Sequence, residues 1–148
     1  MAGYTVTKRS WWRSDYDVRA DDGPVVGTLS LRGIASRGVA RVGSESWSLR
    51  SSGLLRRQVA VVDGSGRELA TAQSKRVQLA SGRELEWKRV GRRGGGAFVD
   101  ATGATVLSFG PSGKTTRVEG DDPDALLLTV IGTYLAAVEL NAAAAVSG

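Results

Sequence analysis

Gly110-Pro111-Ser112-Gly113-Lys114-Thr115 is the stretch of this chain closest to a chemical motif, since Gly-Lys-Thr closes a Walker-type loop whose backbone amides cradle a phosphate. Such a loop also needs a Gly five positions before the Gly-Lys pair and a helix directly behind it, so that the helix N-terminus meets the phosphate. Ser108 stands where that Gly should be, and Thr116-Arg117-Val118-Glu119-Gly120 reads as a strand and a turn. A hairpin turn is therefore expected here, and no nucleotide. A second chemical feature is a basic series, Arg56-Arg57, Lys75-Arg76, Lys88-Arg89 and Arg92-Arg93. If folding gathers these side chains on one face, their guanidinium and ammonium groups can hold phosphates; otherwise they are the solvated charges that strand surfaces carry for solubility. Arg56, Arg57, Lys88, Arg89, Arg92 and Arg93 are the candidate anion- or phospholipid-binding residues, with Arg92-Arg93-Gly94-Gly95-Gly96 expected to be an exposed basic loop.

The remaining candidates have bland readings beside their chemical ones. Trp11-Trp12, flanked by Arg9 and Arg13, could stack on bases or sit at a membrane interface; neighbours on a strand point opposite ways, so one ring is expected in the core and the other over a barrel end. Asp15 with Asp17, and Glu84 with Glu86, sit at strand spacing. Carboxylate pairs do acid–base work only in a pocket that moves their pKa values, and without one they read as surface charge. The chain has no Cys and no His, which removes disulfides, thiolate nucleophiles, Cys/His zinc sites, Ser-His-Asp triads and imidazole catalysis together. No catalytic residue, metal or cofactor is expected. The charge of +5 would suit nucleic acid, but no helix-turn-helix or ribonucleoprotein motif accompanies it, so nucleic acid is not an expected partner.

These residues must be positioned by short extended elements. The chain has 148 residues, enough for one domain, with 20 Gly and three Pro. From Tyr4 to Val118 the text repeats one cadence, apolar residues at every second position and then Gly, Asp, Ser or Pro. Ser46-Trp47-Ser48-Leu49-Arg50 and Glu84-Leu85-Glu86-Trp87-Lys88 alternate most cleanly. Further strands are expected at Tyr4–Lys8, Trp12–Arg19, Val25–Leu31, Val39–Val42, Gln58–Val62, Glu68–Gln73, Arg76–Leu79, Ala97–Asp100, Thr105–Phe109 and Thr115–Val118. Hairpin chemistry separates them, as in Asp63-Gly64-Ser65-Gly66 and Ala101-Thr102-Gly103. A meander of about twelve strands must cover its edges, and closure into an antiparallel β-barrel does so.

The pattern changes at Gly120-Asp121-Asp122-Pro123-Asp124. Asp122 can cap a helix, Pro123 suits its first position, and Ala125 to Val146 is helix-forming and apolar almost all round. Such a helix belongs in a core or a bilayer. Glu139 and Asn141 interrupt the apolar run well short of the roughly 20 residues a span needs, so the core is the preferred reading and a tail anchor the lesser one. Thr129, Gly132, Thr133 and Ala136 make a stripe of small residues, expected to let the helix lie against strand backbones. All Lys and Arg precede residue 119, and the N-terminus has no apolar run after its bases, so a cytoplasmic location is expected, with a place at the membrane periphery as its variant.

The order of these features resembles the tubby C-terminal-like superfamily, which includes tubby domains, phospholipid scramblases and LURP-one-related proteins. The likeness lies in Tyr16-Asp17-Val18 with Val25-Val26-Gly27-Thr28-Leu29, in Trp47-Ser48-Leu49-Arg50, in Val61-Val62-Asp63-Gly64-Ser65-Gly66-Arg67-Glu68-Leu69-Ala70, in Phe98-Val99-Asp100-Ala101-Thr102-Gly103, and in the closing Leu126-Leu127-Leu128-Thr129-Val130-Ile131-Gly132-Thr133-Tyr134-Leu135-Ala136. The resemblance implies one domain over residues 1–148, with strands across 4–118 and a hydrophobic helix across 122–146 threading a closed barrel. It also implies a non-catalytic binding or scaffold module, with anionic phospholipid headgroups or another phosphate-bearing group as partner. The alternative is a structural protein that assembles through protein–protein contacts; the oligomeric state is left open.

Overall fold

In a computed structural model the described residues are 3–9, 15–21, 23–32, 37–52, 58–73, 75–90, 95–111 and 114–147. They form β1 (Gly3–Lys8), β2 (Asp15–Ala20), β3 (Val25–Arg32), β4 (Arg37–Val42), β5 (Glu45–Ser52), β6 (Gln58–Val62), β7 (Glu68–Gln73), β8 (Arg76–Leu79), β9 (Glu84–Val90), β10 (Gly95–Val99), β11 (Thr105–Phe109), β12 (Thr115–Glu119) and α1 (Ala125–Ser147). Each strand pairs antiparallel with its sequence neighbours, and β1 pairs with β12 from Gly3↔Glu119 to Thr7↔Thr115, which closes the barrel. The alternation seen in the sequence decides which side chains face the lumen. Trp47, Leu49, Leu85 and Trp87 are buried, while Glu84, Glu86 and Lys88, which alternate with Leu85 and Trp87, are exposed.

Two turns share one construction. Asp63 Oδ1 accepts the Ser65 amide at 2.9 Å, the Ser65 hydroxyl at 2.7 Å and the Arg67 amide at 3.0 Å. Asp100 Oδ1 accepts the Thr102 amide at 2.9 Å, the Thr102 hydroxyl at 2.5 Å and the Ala104 amide at 3.1 Å. Donors converging on one oxygen stabilise the carboxylate, so both groups sit below the usual aspartate pKa, chiefly through the neighbouring hydroxyl. In β6 and in β10 the register shifts by a residue just before the turn. Such bulges add twist and help the sheet curl shut.

The helix occupies the lumen. Leu128, Thr129, Val130, Ile131 and Gly132 are consecutive and all buried, and at 100° per residue five positions face every direction around the axis. Only a surrounding wall buries them all. Thr129 and Thr133 donate their hydroxyls to the carbonyls of Ala125 at 2.7 Å and Thr129 at 2.8 Å, so the stripe carries no unsatisfied hydroxyl into the core. The expectation that this stripe meets strand backbone is corrected at Gly132. A Cβ there would overlap the ring of Phe109, so the space is taken by a side chain. Phe109 belongs to a cluster with Trp87 and Phe98, with centroids 5.3 Å and 6.0 Å away in edge contacts and the Trp87–Phe98 pair at 5.0 Å. On the wall side Gly96 admits the Trp87 ring in the same way. The expected exposed loop is corrected at its last two positions, where Gly95 and Gly96 are buried and open β10; Arg92, Arg93 and Gly94 lie outside the described residues.

The start of α1 is held from outside its own sequence. Asp122 Oδ1 accepts the Asp124 amide at 2.9 Å, and its carbonyl accepts the Ala125 amide at 3.0 Å, the expected cap. Arg83, in the β8–β9 turn, adds a fork onto the same carboxylate at 2.8 and 2.7 Å and reaches Asp124 at 3.4 Å. The guanidinium, more than burial opposes it, holds the Asp122 carboxyl below its ordinary pKa. A carboxylate depressed on folding contributes stability above the unfolded aspartate pKa of about 3.9, and that contribution is lost as pH falls through the folded value. Arg83→Met should therefore destabilise the protein by about 1–2 kcal/mol at pH 7, and the gap from wild type should narrow as urea melts are repeated from pH 5 down to pH 2. A gap that stays constant with pH would show that the fork is not its source.

Candidate functional site

Antiparallel pairing sends odd strands toward one end of the barrel and even strands back. One end holds the end of β12, the start of α1 and the β2–β3, β4–β5, β6–β7, β8–β9 and β10–β11 turns. This capped end is acidic: Asp21, Glu45, Asp63, Glu68, Asp100 and Glu119 lie at or beside strand ends there, and Asp121, Asp122 and Asp124 lead into α1. Of its bases, Arg83 is committed to Asp122, and Arg117 lies 3.8 Å from Asp21 and 3.3 Å from Glu119. Arg19 donates to the Gly23 carbonyl, leaving Arg41 and Arg67 as the bases outside these contacts.

The opposite end is basic. Lys8 closes β1, Arg37 opens β4, Lys75 precedes β8 and Arg76 opens it, Arg89 lies near the end of β9, and Lys114 precedes β12. Backbone bonds join several of these positions around the rim: the Lys8 amide donates to the Lys114 carbonyl at 2.8 Å, and the Trp87 amide donates to the Lys75 carbonyl at 2.7 Å. None of these six side chains takes part in an ion pair with another described residue. The acids nearby are Asp15, Asp17 and Glu86, and Asp17 already faces Arg9 at 3.7 Å. The result is a separation of charge along the barrel axis, with unpaired cations at one pole and excess carboxylates at the other. Such a field orients the molecule against an anionic surface and raises its encounter rate with one.

The candidate residues fall as follows. Lys88 and Arg89 are both exposed, but Lys88 shares the outer-wall parity of Glu86 while Arg89 shares the lumen-side parity of Trp87, so the pair splits at the barrel mouth. Arg56, Arg57, Arg92 and Arg93 lie outside the described residues; the strand residues that flank them, Ser52 and Gln58, Val90 and Gly95, all belong to the basic end. Trp11, Trp12, Ser112 and Gly113 also lie outside the described residues, and Thr115 opens β12, so a strand follows Lys114. Glu84 and Glu86 are exposed on β9, in keeping with surface charge. Sequence reading passed over Lys8, Arg37 and Lys114 as binding candidates because Arg37 and Lys114 are isolated in the text and Lys8-Arg9 stands apart from the basic series in the middle of the chain. The signal was present in strand parity, since residues that end odd strands and open even ones must share an end of an antiparallel meander.

No protein-family model matches this chain, and no curated protein is detectably similar to it. Among solved structures, the X-ray structure of a protein from Arabidopsis thaliana superposes with a TM-score of 0.69 at 14% sequence identity, over 93% of this chain and 91% of that one. At that identity the likeness is one of fold. No helix among the described residues is long and apolar enough to cross a membrane.

Proposed function

We propose that this protein is a non-catalytic, tubby-like binding module that docks end-on against anionic phospholipid headgroups, with the basic end of its barrel toward the lipid. The separation of charge between the two ends carries this reading. A lumen filled by α1 and the aromatic cluster supports binding at the surface over chemistry in an interior pocket. The union of a twelve-strand barrel with a central apolar helix supports the family reading, because the resemblance rests on that order of elements.

Co-sedimentation with vesicles tests the proposal. Wild-type protein should pellet with phosphatidylserine- or phosphoinositide-containing vesicles, weakly at physiological salt and strongly at low salt, and not with neutral vesicles. A basic residue near an anionic bilayer contributes about 1 kcal/mol, so Lys8→Gln, Arg37→Gln and Lys114→Gln combined should weaken binding about a hundredfold. Arg41→Gln with Arg67→Gln at the capped end should change it little. Equal losses from the two variants, or no binding at low salt, would overturn the reading; a salt-independent oligomer found instead would favour the assembly alternative.

A further inference from the structure

The outer wall carries an open groove of about 820 Å³, lined by strands β7, β8 and β9 and by the start of the β10–β11 turn. This volume falls in the usual range of small-ligand sites. Strand register lays out its polar groups in two rows. Gln73, Arg76 and Glu86 lie opposite one another in one row, and Thr71, Gln78 and Glu84 in the other. Charge is divided across the groove: Lys75 and Arg76 are on the β7–β8 side, and Glu84, Glu86 and Asp100 are on the β9–β10 side. No ion pair among the described residues engages Lys75, Arg76, Glu84 or Glu86. Asp100 makes its turn bonds through Oδ1, and Oδ2 takes no part in them.

This arrangement selects against simple ions. A free anion attracted to Arg76 meets Glu86 directly across the ladder, and a free cation drawn to Glu86 meets Arg76. A ligand satisfies both sides only by carrying both charges, held apart. From Arg76 across Glu86 to Val99, beside Asp100, is two strand spacings, about 10 Å. Three residues of extended peptide span about the same distance at 3.3 Å each. On the basic side, Gln78 on β8 and Thr71 and Gln73 on β7 behind it offer a hydroxyl and two amides, suited to peptide N–H and C=O groups, while on the acidic side Val99 and Ala101 offer small apolar contact.

We propose that this groove binds a short extended peptide with free termini, its carboxylate against Lys75 and Arg76 and its ammonium against Glu84 and Asp100. The groove shares Lys75 and Arg76 with the basic end, but its reading does not rest on lipid docking, and a titration without vesicles tests it alone. Titration of isotopically labelled full-length protein with trialanine, followed by amide chemical shifts without vesicles, tests it. Trialanine should move the amides of Gln73, Gln78 and Glu86 and saturate at millimolar concentration. N-acetyl-trialanine amide, which lacks both charges, should bind about tenfold more weakly or worse. R76Q and E84Q, both at exposed positions, should each weaken trialanine about fivefold and leave the melting temperature unchanged. Equal binding of free and capped peptide, shifts confined to residues outside the groove, or no shifts at millimolar peptide would each overturn the proposal.

Discussion

A chain ended at Gly120 is expected to show no cooperative thermal or urea unfolding transition. The reason is where α1 sits. Leu128, Val130, Ile131, Tyr134 and Leu135 are buried inside the wall, in one core cluster with the wall residues Val18, Leu29, Leu49, Leu107 and Val118. Burying five large side chains contributes on the order of 10 kcal/mol, comparable to the whole stability of a domain, about 5–15 kcal/mol. Removing the helix also opens the lumen lining to water, so the shortened chain should bind a hydrophobic dye and lose near-ultraviolet circular dichroism from Trp87. A tail anchor predicts the contrary outcome, a barrel that still melts cooperatively after the helix is gone. That result would refute the core assignment.

Gly132→Ala is expected to destabilise the protein by about 2–3 kcal/mol, although Ala is the better helix former by nearly 1 kcal/mol. The sign is the informative part. An open position would gain stability from the substitution, whereas here the new methyl group overlaps the Phe109 ring, and Phe109 cannot retreat because Trp87 and Phe98 stand against it. For a domain of this size the melting temperature should fall by about 5–10 °C. Phe109→Leu should restore part of the loss in the double variant, and the cycle should show a coupling of about 1 kcal/mol or more. Additive losses would mean that the two residues do not share the space.

The outcome for individual elements follows from the range of the forces that set them. Strand positions were legible because alternation is a property of residues two apart: β6, β7, β8 and β11 have the bounds expected from the sequence, and β5 and β9 differ from theirs by one or two residues at their ends. The cap at Asp122 was legible for the same reason, as it binds an amide two residues away. The closed barrel could be argued from the cost of a long exposed edge. Other features depended on contacts between distant parts of the chain. Arg83 reads as an ordinary turn base until the β8–β9 turn comes beside Asp122, 39 residues on. Gly132 reads as part of a small stripe until β11 delivers the Phe109 ring to it. Lys8 and Lys114 become neighbours only when β1 closes on β12.

The sequence by itself determined the extended segments, the turn chemistry between them and one apolar helix with its cap, since each depends on steric and hydrogen-bond preferences within a few residues. Tertiary structure alone decided which ring fills the notch in the helix, which turn base reaches the helix cap and where a groove opens. Those depend on the register and closure of strands far apart in the chain, which the packing of the whole lumen around α1 selects.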